Sequence, residues 1–486
     1  MKWWRNAVIY QVYPRSFADG NGDGVGDLAG IADRLSYLRD LGVDALWFSP
    51  WYPSPMADAG YDVADYRDID PVFGTIAEAE KLIRAAHAAG LRVVIDLVPN
   101  HCSAAHPWFS AAVSAGPGSV ERQRFWFRAG RGPDGSRPPT DLQSIFGGPA
   151  WTRVDDGEWY LHLFDPRQPD LNWDNPDVRA EFLDILRFWL DRDVDGVRID
   201  SAAVLVKNPS LADADSYTDR DGVHEIYREW RALTDTYPGD RVLIGELWLP
   251  DHHRFAAYLR PDELHAAFNF EFLCCPWDAS SLRSAIDESL RAHAPVGAPA
   301  SWVLSNHDVT RPVTRFGRAD SAFSFADRLR RRSLPLDLEL GARRARAAAL
   351  LCLALPGAAY LYQGEELGLW EVEDLPPHLL QDPMYHRSGG LDPGRDGCRV
   401  PLPWSGVDPP FGFTTATPWL PQPPAWKDLT VEAQINDPHS TLELYRHALH
   451  LRHTTPALGE GPLHWLPSPQ DTLTFTRHPD FICVVN

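Results

Sequence analysis

The sequence predicts an α/β fold: a (β/α)8 TIM barrel with a small domain inserted after its third strand and a short C-terminal β-rich segment. Three observations point there. Eight short apolar runs are spread along 486 residues, amphipathic helix-like stretches alternate with them, and three of the runs end in a carboxylate.

The strand candidates, in order, are Val8–Tyr13, Ala45–Ser49, Arg92–Val98, Gly196–Asp200, Val242–Glu246, Ala266–Phe270, Trp302–Leu304 and Ala358–Tyr362. Between them the spacing predicts a helix over Ile31–Leu41, with Ile31, Leu35, Leu38 and Leu41 on one face. Ile76–Ala89 is a second, stopped by Gly90. Val178–Leu190 follows, with Pro176 near its start, and then Ala342–Leu355, stopped by Pro356-Gly357. Strands alternating with helices make a parallel sheet, and eight such units close into a barrel whose site lies at the C-terminal strand ends.

Residues 102–173 show no barrel period and are rich in Gly, Pro and aromatics. That is too long for a structureless loop, so it reads as an inserted domain over the barrel mouth. The barrel is then 1–101 and 174–455, its last helix near Leu442–Arg452. Residues 456–486 alternate as the start of a C-terminal β domain that stops mid-strand, and a truncated sandwich of that kind carries open edges and lower stability.

A formal net charge of −21 excludes a phosphate-reading surface, so nucleic acid is not an expected partner. No apolar run approaches the length of a membrane span. The N-terminal Met1-Lys-Trp-Trp-Arg lacks the apolar core of a secretion signal, and a cytoplasmic protein, monomeric or a small homo-oligomer, is the expectation. Cys102, Cys274, Cys275, Cys352, Cys398 and Cys483 form no metal-binding spacing and read as ordinary thiols.

The chemistry lies in Gly196-Val-Arg-Ile-Asp200, Gly245-Glu-Leu-Trp248 and Ser305-Asn-His-Asp308. Burying a charged side chain at a strand end is costly unless it is paired or used, and three such acids suggest one acidic pocket for a neutral, polar substrate. Arg198 lies two residues before Asp200 and therefore on the same strand face, where it is expected to hold that carboxylate ionised. Leu247 and Trp248 give Glu246 an apolar setting that raises its pKa. One ionised and one protonated carboxyl is the division of labour of a glycosidase. His307 and His101, at strand tips, are candidates to bind sugar hydroxyls, as is Asp62; Tyr61 is a candidate sugar-stacking ring. Asp19-Gly-Asn-Gly-Asp-Gly-Val-Gly-Asp27 offers Asp19, Asn21, Asp23, the Val25 carbonyl and Asp27 as closely spaced oxygen ligands for a structural calcium or magnesium ion, remote from the acids.

With Asp96-Leu-Val-Pro-Asn-His101 and Gln168-Pro-Asp-Leu-Asn172 added, these motifs resemble the α-amylase superfamily, glycoside hydrolase family 13, and within it the oligo-1,6-glucosidase and α-glucosidase group. The resemblance covers nearly the whole chain. It implies Asp200 as nucleophile, Glu246 as acid/base and Asp308 as transition-state stabiliser. It also implies that Asp62, His101, Arg198 and His307 bind the terminal sugar, with Arg395 or Arg399 as a further substrate contact. The metal loop matches the family's calcium or magnesium loop, and no organic cofactor is implied. Ser201, small where the group often has Val, Thr or Ala, leans towards α-1,4 bonds. The implied activity is a retaining exo-α-glucosidase on short malto- or isomalto-oligosaccharides. The alternatives are a transglucosylase or sucrose/maltose isomerase using the same site, and a non-catalytic scaffold like the ectodomain of the amino-acid-transporter heavy chains.

Overall fold

The computed structural model describes residues 2–486. Its strands are β1 (Val8–Val12), β2 (Ala45–Phe48), β3 (Arg92–Leu97), β4 (Phe127–Ala129), β5 (Trp151–Arg153), β6 (Glu158–Leu161), β7 (Gly196–Ile199), β8 (Val242–Gly245), β9 (Ala266–Ala267), β10 (Ser301–Val303), β11 (Ala358–Tyr362), β12 (Leu463–Trp465), β13 (Leu473–Arg477) and β14 (Phe481–Val485). Eight of them form one parallel sheet in the order β10-β11-β1-β2-β3-β7-β8-β9. This is a TIM barrel, nearly closed: β9 and β10 share no ladder. The predicted strand Ala266–Phe270 shortens to two residues because the Asn269 side chain accepts the Phe272 N–H and starts the helix Phe270–Cys274.

Register decides what faces the barrel interior. Val94 pairs with Gly196 and Asp96 with Arg198; Gly196 in turn pairs with Val242 and Arg198 with Ile244. Side chains alternate along a strand, so Val94, Val242 and Ile244 fill the floor with Trp47, Ile9 and Tyr360. The same faces carry Asp96, Arg198, Asp200 and Glu246 upward to the strand ends. Gly196 is required by this packing: a Cβ there would lie 2.3 Å from Val242 Cγ2 and 2.4 Å from the Val242 carbonyl oxygen.

The helix expected over Ile31–Leu41 is two helices, Leu28–Asp33 and Leu35–Leu41. The ladder tightens at Arg34, whose N–H bonds the Ile31 carbonyl, three residues back. The first helix starts earlier than expected because Asp27 caps it, accepting the Gly30 N–H.

Between β3 and β7 the chain forms a three-stranded antiparallel sheet, β4-β6-β5, with its own small core around Leu142, Trp151 and Leu163. Lys207, from the loop after β7, fastens this insertion to the barrel. Its ammonium group lies 3.0 Å from Asp170 Oδ2, 2.8 Å from Asn100 Oδ1 and 2.9 Å from the Val204 carbonyl. Lys207, Asp170 and Asn100 are all buried. The sheet β12-β13-β14 docks on the barrel helices through Arg477, which donates to the Ala354 carbonyl, and Trp465, which donates to Asp287. On its outer face Ile482 and Val484 are exposed. No described helix is long and apolar enough to cross a membrane.

Candidate active site

Arg198, 1% exposed, is the hub. Its Nη1 donates to Asp96 Oδ1 at 2.8 Å and to Asp200 Oδ1 at 2.7 Å, and its Nη2 lies 2.8 Å from Glu246 Oε2. One guanidinium therefore serves three carboxylates from three adjacent strands, an arrangement that follows from the register above. Ser201, held at φ 48° just past the strand end, turns its N–H onto Glu246 Oε2 at 2.8 Å.

Burial pushes the Asp200 carboxyl up to about 6, with Arg198 opposing it and Asp96 adding to the rise. This corrects the expectation that Arg198 would hold Asp200 low: its charge is divided among three acids, and desolvation outweighs one third of a partner. Glu246 rises further, to about 7, again chiefly through burial. Trp248 does more here than present apolar surface, since its indole N–H donates to Glu246 Oε1 at 2.9 Å. The ring stacks on Phe270 with centroids 3.8 Å apart and meets Phe325 edge-on at 5.5 Å.

Asp308 sits in a different field. Arg395 Nη1 and Arg399 Nη2 both donate to its Oδ1, at 2.9 and 2.8 Å. The two guanidinium groups hold its pKa well below the usual carboxylate range despite burial. Both candidates for the later arginine contact are thus present, doing related work. Arg399 also donates to the His307 carbonyl. Burial pushes His307 down to about 3, so its ring is neutral. The Gln11 amide donates to His307 Nδ1 at 2.7 Å, which leaves the proton on Nε2, a buried atom without a hydrogen-bond partner. Tyr61 stacks flat on His307 at 5.0 Å and gives its hydroxyl to Asp96.

Asp62 is placed elsewhere. It is fully buried and accepts the backbone N–H groups of Ala57 and Asp58, capping its own loop. The acid that this loop presents to the site is Asp58, whose Oδ1 lies 2.6 Å from Arg395 Nη2. Asp58 Oδ2 accepts from Gln168 Nε2, which also lies 3.1 Å from His101 Nε2. Gln168 thereby joins the inserted domain to the Asp58–Arg395 pair. The sequence reading missed Asp58, Asp96 and Asp382, the last buried and 2.6 Å from Arg395 Nε. The signal for Asp58 was its position four residues before the buried Asp62, on the tight turn through Ala59 and Gly60, both at positive φ.

The mouth is partly roofed. Phe164 of the insertion lies 4.9 Å from the His101 ring and 5.4 Å from Phe146, over which Arg395 stacks. Arg387 donates across to the Gly147 carbonyl at 2.8 Å.

The loop 19–27 is separate, packed against residues 413–419. Asp19 accepts the N–H groups of Asn21, Gly22 and Gly24, and Asp27 those of Gly20, Asn21 and Gly30. Asn21 and Asp23 accept from Asp23 and Val25. Its donors are all oxygens, with lone pairs to spare, a set that suits a hard cation.

A model of the family described as "Alpha amylase, catalytic domain" matches residues 11–461. A probable alpha-glucosidase of Rhizobium meliloti (strain 1021) is 38% identical over 98% of this chain and 87% of its own length. An oligo-1,6-glucosidase of Parageobacillus thermoglucosidasius is 34% identical, over 93% of this chain and 83% of its own. Among solved structures, the alpha-glucosyl transfer enzyme XgtA superposes with a TM-score of 0.87 at 38% identity, covering 99% of this chain and 90% of that one. An isomaltulose synthase from Erwinia rhapontici NX5, bound to sucrose, gives 0.86 at 33% identity, covering 99% and 89%. A match of this extent and identity means that the protein belongs to the alpha-amylase family of glycoside hydrolases, in its α-glucosidase and oligo-1,6-glucosidase group.

Proposed function

We propose that the protein is a retaining, exo-acting α-glucosidase that releases terminal α-linked glucose from short malto- or isomalto-oligosaccharides. The observation that carries this is the single Arg198 guanidinium joining Asp200 to Glu246, beside an Asp308 held ionised by two arginines. Asp200 attacks the anomeric carbon while Glu246 gives its proton to the leaving oxygen. Glu246 then takes a proton from water, which displaces Asp200 and returns the α anomer. Retention asks for carboxyls about 5–5.5 Å apart, and a shared guanidinium favours such short range. Asp308, Arg395 and Asp58, with the free His307 Nε2–H, grip the sugar hydroxyls as the ring flattens. His101 stands behind them through Gln168, and Tyr61 fixes the His307 ring. The roofed mouth favours removal from a chain end. Trp248, Phe270 and Phe325 line the leaving-group side, and the small Ser201 leans the preference to α-1,4 bonds.

The test is hydrolysis of maltose, isomaltose and sucrose with NMR detection of the first anomer released. Initial β-glucose would overturn retention. Glucosyl transfer to a second sugar in place of water is the second reading, favoured by the likeness to XgtA. Oligosaccharide products accumulating at high maltose would establish it.

Activity should follow a narrow bell. Below about 6 Asp200 is protonated and cannot attack; above about 7 Glu246 has lost the proton it must give. Because the two acids share Arg198, the limbs belong to the pair. A kcat/KM profile flat through neutrality into alkali would contradict these roles.

We also propose that Asp19, Asn21, Asp23, Val25 and Asp27 bind a structural calcium ion. Chelation is expected to lower the melting temperature, by about 1–3 °C for a stabilisation of a few kcal/mol. An Asp23→Ala variant should melt at the chelated temperature and not respond to chelator, while the parent's KM stays unchanged.

A further inference from the structure

The chain carries a net charge of −21, yet residues 315–332, beyond the Asp308 strand end, hold six arginines against two aspartates. Arg315, Arg318, Arg328, Arg331 and Arg332 line one cavity with a volume of ≈ 40 Å³. The acids around it are engaged. Asp320 pairs with Arg330 at 2.6 Å and with Arg331 at 3.1 Å, Glu373 with Arg318 at 2.7 Å, and Glu371 accepts the Arg311 N–H at 3.0 Å.

Arg315 is 4% exposed and donates to carbonyls alone: Leu273 at 2.7 Å, Leu304 at 2.8 Å and Cys275 at 3.4 Å. Its Nε is buried without a partner, and burial pushes its pKa down to about 10. Arg328 gives Nη2 to Asp392, which leaves its Nε and Nη1 unpartnered, and Arg331 Nη1 is in the same condition. A buried guanidinium without a counter-charge is costly, and Arg315 is one. Arg328 and Arg331 are half-buried and ion-paired, to Asp392 and to Asp320 and Asp327, yet each keeps N–H groups without a partner beside the same cavity.

We propose that this cavity binds a small inorganic oxyanion of the phosphate type, held by Arg315, Arg328 and Arg331. A tetrahedral oxyanion presents acceptors in several directions at once, as these donors require. The volume suits it: one water takes about 10–15 Å³ on this measure, so the cavity holds one such ion and excludes a sugar. The ion would tie the segment 317–333 to the helix Pro312–Phe316 that carries Arg315. That segment bears Phe325, which packs on Trp248 beside Glu246. An occupied cavity therefore steadies the leaving-group wall.

The experiment compares melting temperatures in inorganic phosphate and in chloride at matched ionic strength. At about tenfold excess over its dissociation constant, phosphate should raise the midpoint by about 1–2 °C, saturably, with chloride inert. An Arg328→Gln/Arg331→Gln double variant should lose the response, whatever its own midpoint. Arg330→Gln should keep it, since Arg330 is not part of the cavity lining. No phosphate-specific rise, an equal rise in chloride, persistence in the double variant, or loss in Arg330→Gln would each overturn the proposal.

Discussion

Asp200→Asn is expected to fold normally and to lose kcat by a factor of about 10⁴–10⁶, the scale seen when a covalent nucleophile is removed. The amide oxygen still accepts from Arg198 Nη1, so the hub keeps its geometry, while the group that attacks carbon is gone. Stability should move the other way. Asp200 has its folded pKa raised to about 6, so the ionised form is disfavoured by burial. That cost is fully present above the folded pKa and disappears below the unfolded one. At neutral pH the neutral amide removes it, a gain of about 2–3 kcal/mol at most. The variant should therefore melt at or above the parent near neutrality, and the difference should close in acid. A variant that keeps a kcat on maltose within about tenfold of the parent's would remove Asp200 from the nucleophile's role; one that melts far below the parent would contradict the burial cost.

Arg198→Lys carries the second large effect. An ammonium is a point donor and cannot reach Asp96, Asp200 and Glu246 from one position as the fork does. At least one buried carboxylate is left without its partner, at a cost of about 3–5 kcal/mol. The pKa of each unpaired acid should rise further. Where Asp200 is the acid left unpaired, the acid limb of the pH profile shifts to higher pH and the window below Glu246 narrows. Thermal melting and the kcat/KM profile measure the two consequences separately. Parent stability together with an unshifted acid limb would show that Arg198 is not the element coupling the three acids.

The barrel was legible because its strands are short apolar runs ending in chemistry, and because period-two alternation alone puts Arg198 and Asp200 on one face. What pairwise spacing along one strand could not show was sharing between strands. Asp96 and Glu246 enter the Arg198 hub from β3 and β8, so burial, which raises Asp200, is opposed by only a shared guanidinium, with Asp96 adding to the rise. Asp58 and Asp62 were indistinguishable as two acids of one loop. The turn at Ala59-Gly60 sends one carboxylate to Arg395 and folds the other back on its own backbone. Arg395 and Arg399 could not be separated from the sequence for a good reason: both reach Asp308. The strand around Ala266 was overestimated because an apolar run reads alike as strand and as buried helix, and Asn269 decides for helix.

The joint at Lys207 has a consequence for how the sugar-binding face is kept intact. Asp170, which the ammonium holds, lies two residues from Gln168, the side chain that reaches Asp58 and His101. A cation bound from solution can be diluted or sequestered away; one attached to the chain by its own four-carbon stem cannot. The seam between insertion and barrel is therefore insensitive to the ionic composition around the protein. The position of Gln168 is inherited with the sequence and need not be maintained by the medium.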